Sequence, residues 1–233
     1  MKSLKTKRKI SFSELWNNVD FSKPSAWGVI GSNLAVIFFA IVDKLTATEV
    51  MWIYWIQSVI IGIFNFFRIL MFKNFTTKGM TSNGKEVLPT KATKISTAIF
   101  FLFHYGFFHL VYAAFLFSFP TILGEEKKFE GGFYLLFTGL VFLINYGIEF
   151  YKEQTSLTDE ISNLGTVMFL PYFRIIPMHL TIILGGFIAA SGSFFNTDTS
   201  FLVILLLIGI KTIIDLMTHS INVFTGLPTT QIP

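Results

Sequence analysis

The stretch SFLVILLLIGIKTIIDLMTHSINVF, residues 200–224, decides the fold: it is apolar over a length that crosses a bilayer, yet it carries Lys211, Asp215 and His219. About 20 residues at about 1.5 Å rise each span the hydrocarbon core of roughly 30 Å. The three ionisable residues recur every fourth position. At about 100° per residue each step drifts by only about 40°, so a cation, a carboxylate and an imidazole share one stripe of one helix. That stripe cannot face lipid, because an ionisable group near the bilayer centre costs about 2.5–3.5 kcal/mol on the gentlest scale. It must face the interior of a bundle or a wet cavity.

The rest of the chain supplies the bundle. Of 233 residues 52% are apolar, 14% are charged and 29 are Phe, whereas soluble domains carry roughly a quarter charged residues. Five further runs are long enough to span a bilayer, at 26–42, 49–72, 93–119, 131–151 and 166–190. The expected fold class is therefore all-α: a six-transmembrane-helix bundle over 26–224, preceded by a basic tail and interfacial helix at 1–25 and followed by a short tail at 225–233. Cys is absent, which excludes disulfides, thiolate catalysis and Cys-ligated metal centres. The net charge of +4 reads as topology rather than nucleic-acid binding, so membrane lipids are the expected partners.

At the N-terminus, Ser11 and Glu14 stand at capping-box spacing, and Phe12, Leu15, Trp16 and Val19 fall at helical intervals behind a Lys-rich leader. This pattern predicts a short amphipathic helix on the membrane surface, a tail with chance periodicity being the alternative. There is no signal-peptide core in this region. With the N-terminus inside, Lys2, Lys5, Lys7, Arg8, Lys9, Lys23, Lys73, Lys78, Lys85, Lys91, Lys94 and Lys152 lie on the inner side, against Lys44, Lys127 and Lys128 outside. Both termini should then be cytoplasmic. Asp43 and Lys44 sit in a short connection that should fold the first two spans into an antiparallel hairpin, and Ser82-Asn83-Gly84 should form a turn. Pro171 and Pro177 should kink the fifth span and free carbonyls that need polar partners.

Polar residues of separate spans fall at similar depth. Arg174 and His104 each lie about 15 Å from the inner ends of their helices, and Asp215 and His219 fall in the same inner half. Arg68 is near enough to an end to snorkel. His109 lies about 140° around its helix from His104, which suits a packing role, and Tyr112 lies between them in angle. A polar interior open to the cytoplasm is the simplest arrangement. A buried ion-pair network of Arg174, Lys211 and Asp215 that only locks helices together is the plain alternative.

Several of these stretches carry a family resemblance. Tyr54-Trp55-Ile56-Gln57-Ser58-Val59-Ile60-Ile61-Gly62-Ile63-Phe64-Asn65 with Arg68-Ile69-Leu70 resembles the second span of an uncharacterised prokaryotic multi-span membrane family, domain of unknown function 6498. Phe103-His104-Tyr105-Gly106-Phe107-Phe108 resembles its third span; Arg174 to His179 with Gly185-Gly186, and Lys211-Thr212 with Asp215 and His219, resemble its last two. The chain departs from the family pattern at Gln57, where an acidic residue is common, at Tyr112, where His is common, and at His109, which is less typical. The resemblance implies a six-span bundle and groups His104, Arg174, His179, Lys211, Asp215 and His219 in one site. It implies no activity.

Three classes of function are open at this point. Asp215 and His219, one turn apart, with His104 and His179 from neighbouring helices, form an oxygen and nitrogen set suited to zinc, and a zinc-bound water would make a hydrolase of lipid or another amphiphile. Arg174 and Lys211 would then hold an anion or headgroup, although both cations would repel the metal. Alternatively the two cations bind an anion or lipid headgroup in a transporter or channel component, with Asp215 and the histidines relaying protons. A non-catalytic scaffold is the third class. Phosphate loops, nucleophile elbows and HExxH elements are absent, which argues against standard nucleotide enzymes and serine hydrolases.

Overall fold

A computed structural model describes residues 16, 19, 21, 24–123, 132–156, 161–195 and 199–219. The amphipathic helix expected near the N-terminus and the tail at 225–233 lie outside these residues. Seven α-helices are described: α1 (Pro24–Val42), α2 (Ala47–Met71), α3 (Lys91–Leu123), α4 (Gly132–Ser156), α5 (Leu164–Phe169), α6 (Ile175–Phe195) and α7 (Ser200–His219). A 3-10 turn, Leu170–Arg174, joins α5 to α6. Among the described residues five helical stretches are long and apolar enough to cross a membrane: Ala47–Met71, Lys91–Leu123, Leu135–Lys152, Leu164–Gly192 and Ser200–Met217. The first expected span coincides with α1, whose side chains are described only in part.

The outer faces of these helices are lined with exposed large apolar side chains, among them Phe103, Phe107, Leu110 and Phe117 of α3, Leu136 of α4 and Phe187 of α6. In water such a surface would aggregate; in a bilayer it is solvated by lipid. The chain is an integral membrane protein.

Short-range chemistry fixes the connections. The segment between α1 and α2 closes tightly because Lys44 takes a left-handed φ of 51°, letting the amide of Leu45 reach the carbonyl of Ala40 at 2.9 Å. Thr46 then caps α2 through a full capping box: its Oγ1 accepts from the amide of Glu49 at 3.2 Å, and Glu49 Oε2 accepts from the amide of Thr46 at 2.9 Å. Despite this turn, α1 takes α7 rather than α2 as its principal neighbour, so the hairpin expected of the first two spans opens onto the last.

The connection between α2 and α3 holds small strands that the all-α expectation did not include. Thr81–Ser82 (β2) and Lys85–Glu86 (β3) pair antiparallel across Asn83-Gly84, both at positive φ, as a two-residue hairpin turn requires. Phe75–Thr76 (β1) pairs parallel with Ser162–Asn163 (β4), tying this connection to the segment that enters α5. Asn163 closes the junction, its Nδ2 donating to the Lys78 carbonyl at 3.2 Å while its Oδ1 accepts from the amide of Thr166 at 3.0 Å.

At the centre stands α2, which packs against α3, α4 and α7 and against the broken segment α5 to α6. Its buried side chains Met51, Tyr54 and Ile69 join Phe101 and Leu116 of α3, Met178 of α6 and Leu207 of α7 in one core. The contact between α2 and α3 is close enough to require glycine. A Cβ at Gly62 would collide with the Tyr105 ring.

Candidate functional site

The site starts from the break in the fifth span. Pro171 has no amide hydrogen, so the carbonyl of Val167, one turn earlier, loses its helical donor. Asn65 of α2 replaces it, donating from Nδ2 at 3.1 Å. The chain then tightens into the 3-10 turn, whose last residue is Arg174, and the Arg174 carbonyl accepts from the hydroxyl of Tyr54 at 3.0 Å. Two polar side chains of α2 thus take up carbonyls at the break, and the one that Asn65 meets is the one Pro171 frees. The result is an irregular turn pinned inside the bundle, with a guanidinium at its end.

Arg174 stands at the end of the turn, surrounded by protein yet only half-buried by accessible surface. Among the described residues its guanidinium makes no hydrogen bond or ion pair; it acts over longer range on Tyr54, Asp215, Tyr146 and Tyr105. On α7 the ammonium of Lys211 donates to Asp215 Oδ2 at 2.6 Å and to Asn33 Oδ1 of α1 at 2.8 Å. It also stands 5.7 Å from the centre of the Tyr54 ring. Lys211 and Arg174 are close enough for their charges to repel. Arg174, Lys211 and Asp215 thus lie within electrostatic reach of one another, and Tyr54 touches both the Arg174 backbone and Lys211.

The histidines are arranged otherwise. His104 is exposed, hydrogen bonded through Nδ1 to the Tyr172 hydroxyl at 2.9 Å and stacked on Phe100. His179 is also exposed and lies 3.3 Å through Nδ1 from the hydroxyl of Tyr112, which therefore meets His179 rather than bridging His104 and His109. Asp215 is held by Lys211, a cation that would oppose a metal ion. The side chain of His219 lies outside the described residues, although its backbone ends α7. No group of three His, Cys, Asp or Glu residues able to hold a metal ion occurs among the described residues. The zinc set His104, His179, Asp215 and His219 is therefore not supported. Each described member has another partner because helix rotation turns the two histidines toward tyrosines and the aspartate toward a lysine one turn away.

A second polar cluster, not foreseen from the sequence, joins α2 to α3. The Tyr105 hydroxyl lies 2.8 Å from Ser58 Oγ and 3.1 Å from the Ser58 carbonyl. His109 Nε2 lies 2.9 Å from Ser58 Oγ, and its Nδ1 lies 2.9 Å from the Tyr105 carbonyl. With a neutral imidazole, Nδ1–H donates to the Tyr105 carbonyl, the Ser58 hydroxyl donates to Nε2, and the single Tyr105 hydroxyl proton is shared between Ser58 Oγ and the Ser58 carbonyl. The spacing of Ser58 and His109 is that of a nucleophile and its base. However, they are 1% and 4% exposed, so the cluster serves as an internal joint, the packing role expected for His109. Arg68, for its part, stays partly exposed, reaching Asn65 at 3.4 Å and lying over the Phe150 ring.

With this geometry in view, comparison with known proteins adds one fact. A model of a family of unknown function, DUF6498, matches residues 15–229. The chain belongs to that family. The match spans α1 to α7 and so includes every residue of both clusters. No curated protein and no solved structure matches the chain.

Proposed function

We propose that this protein binds an oxyanion within the membrane, as a binding or transport component for a lipid headgroup or a free anion, with Arg174 and Lys211 as its cationic ligands. One observation carries the reading: among the described residues two cations, Arg174 and Lys211, share the interior with one carboxylate, Asp215, and the guanidinium of Arg174 is left without an ion pair. An uncompensated charge in a low-dielectric interior is costly, and a bound anion offsets that cost. Arginine at the end of a pinned, irregular turn presents its planar fork in a fixed place, which favours a bidentate oxyanion over a spherical ion. Arg174 is only half-buried, so its guanidinium is not fully enclosed by the protein. A zinc hydrolase gains no such support, because its described donors are engaged by tyrosines and a lysine.

Native mass spectrometry of the detergent-purified protein tests the reading. The wild type should retain an anionic phospholipid such as phosphatidylglycerol, or failing lipid a phosphate adduct, and Arg174→Gln should lose it. Equal occupancy in wild type and variant would refute it, as would a wild type that carries no anion even when phosphatidylglycerol or phosphate is supplied.

A further inference from the structure

Resting on the anion reading, we infer that Asn33 is a third ligand of the bound anion, contributed by α1. Asn33 is 3% exposed, and its Oδ1 accepts from Lys211 Nζ at 2.8 Å. That contact fixes which way the amide points, since an ammonium can only donate and must meet the oxygen. The amide nitrogen is thereby placed beside the ammonium, one amide width away. It is sealed from solvent and has no hydrogen-bond partner among the described residues. A buried amide that leaves its donor unpaired is unfavourable, and nearly all such donors in folded proteins have partners. The acceptor it lacks is the one an oxyanion shared with Lys211 and Arg174 would supply.

The position of Asn33 gives this a mechanical side. Asn33 is on α1, which rests mainly on α7, and its contact with Lys211 is a polar tie between those two helices. Because the amide nitrogen is covered, an anion reaches it when α1 shifts on α7. Once bound, the anion would tie α1, α7 and the Arg174 turn together through three donors. Ligand occupancy and the seating of α1 are then one equilibrium.

The rival explanation is that Asn33 exists only to accept from Lys211. The two differ in sign. If Asn33 merely competes with the anion for the ammonium, Asn33→Ala should leave binding unchanged or tighten it. If its amide donates to the anion, Asn33→Ala should weaken binding by about tenfold or more, the worth of one hydrogen bond to a charged group. Asn33→Asp keeps an acceptor for Lys211 while removing the donor, so it should retain thermal stability and weaken binding more than Asn33→Ala.

The experiment is equilibrium dialysis of radiolabelled inorganic phosphate against the purified full-length protein. A parallel arm measures phosphatidylglycerol uptake into nanodiscs holding the protein, which separates a free anion from a headgroup. Arg174→Gln serves as the reference for loss of the site. Weakened binding in both Asn33 variants, with Asn33→Asp at the wild-type melting temperature, supports the inference. Wild-type affinity or tighter in Asn33→Ala, with Arg174→Gln impaired, overturns the role of Asn33 alone. A wild type that binds neither phosphate nor phosphatidylglycerol overturns the anion site and the role of Asn33 with it.

Discussion

Gly62→Ala is the substitution whose consequence follows most directly from the geometry. The added Cβ would meet Cε1 and Cδ1 of Tyr105, a side chain that cannot swing aside freely. Tyr105 is 4% exposed, stacks on Phe101, and is pinned by its hydroxyl to Ser58. Overpacking of this kind costs about 1–3 kcal/mol. Displacing the hydroxyl leaves buried polar groups of the joint unpaired, for about 1–3 kcal/mol more. Alanine returns about 1 kcal/mol as the better helix former. The net expectation is a loss of about 1–5 kcal/mol. Gly106→Ala, next to Tyr105 but with no heavy atom within 4 Å of its would-be Cβ, is the control and should be neutral or slightly stabilising. Unfolding in mixed micelles with increasing dodecyl sulfate, followed by the fluorescence of Trp52 and Trp55, measures both. Adding Tyr105→Leu to Gly62→Ala should cost less than the sum of the two single changes. If Gly62→Ala unfolds with the wild type, the proposed close approach of α2 and α3 is wrong.

Three further predictions come from the same contacts. Asn65→Leu removes the donor that replaces the missing amide of Pro171 and should destabilise the protein by about 1–3 kcal/mol in the same assay, whereas Pro171→Ala in the Asn65→Leu background should recover part of the loss. Lys211→Met removes the ammonium that the half-buried Asp215 accepts from and should cost about 1–3 kcal/mol, more than the double change Lys211→Met with Asp215→Leu, so a double-mutant cycle should show coupling. Chelation with EDTA should leave the melting temperature unchanged; a stoichiometric zinc found by elemental analysis and lost in His104→Ala would contradict the assignment of His104 to Tyr172.

How far the sequence could be read depended on the range of each interaction. Hydropathy alone located the long apolar helices, since a bilayer demands apolar length whatever the neighbours are. The i, i+4 spacing of Lys211 and Asp215 placed them on one stripe, and they do pair. Pro171 announced a break with stranded carbonyls, and one is taken by Asn65. Partner choice between helices was another matter. His104 and His179 were grouped as metal ligands, as donors from neighbouring helices, but a small rotation of α3 or α6 decides whether an imidazole meets another imidazole or a tyrosine, and periodicity does not record rotation.

The residues passed over share a trait. Asn33, Tyr54 and Ser58 are uncharged, so none stands out in an apolar run as Lys211 does. Their importance lies in contacts with residues far along the chain: Asn33 with Lys211, Tyr54 with Arg174, and Ser58 with Tyr105 and His109. A signal was available in Asn33, a lone amide in the middle of an apolar stretch, where burial demands partners. The two-residue pairing of β1 with β4 left no pattern to read, being too short for alternation.

The most direct test of the anion site is a high-resolution density map of the full chain in nanodiscs containing phosphatidylglycerol, inspected between Arg174 and Lys211. The account predicts tetrahedral density within hydrogen-bonding distance of the Arg174 guanidinium, the Lys211 ammonium and the Asn33 amide nitrogen. A space between them that is empty or filled by acyl chain, with Arg174 turned away to another partner, would contradict it.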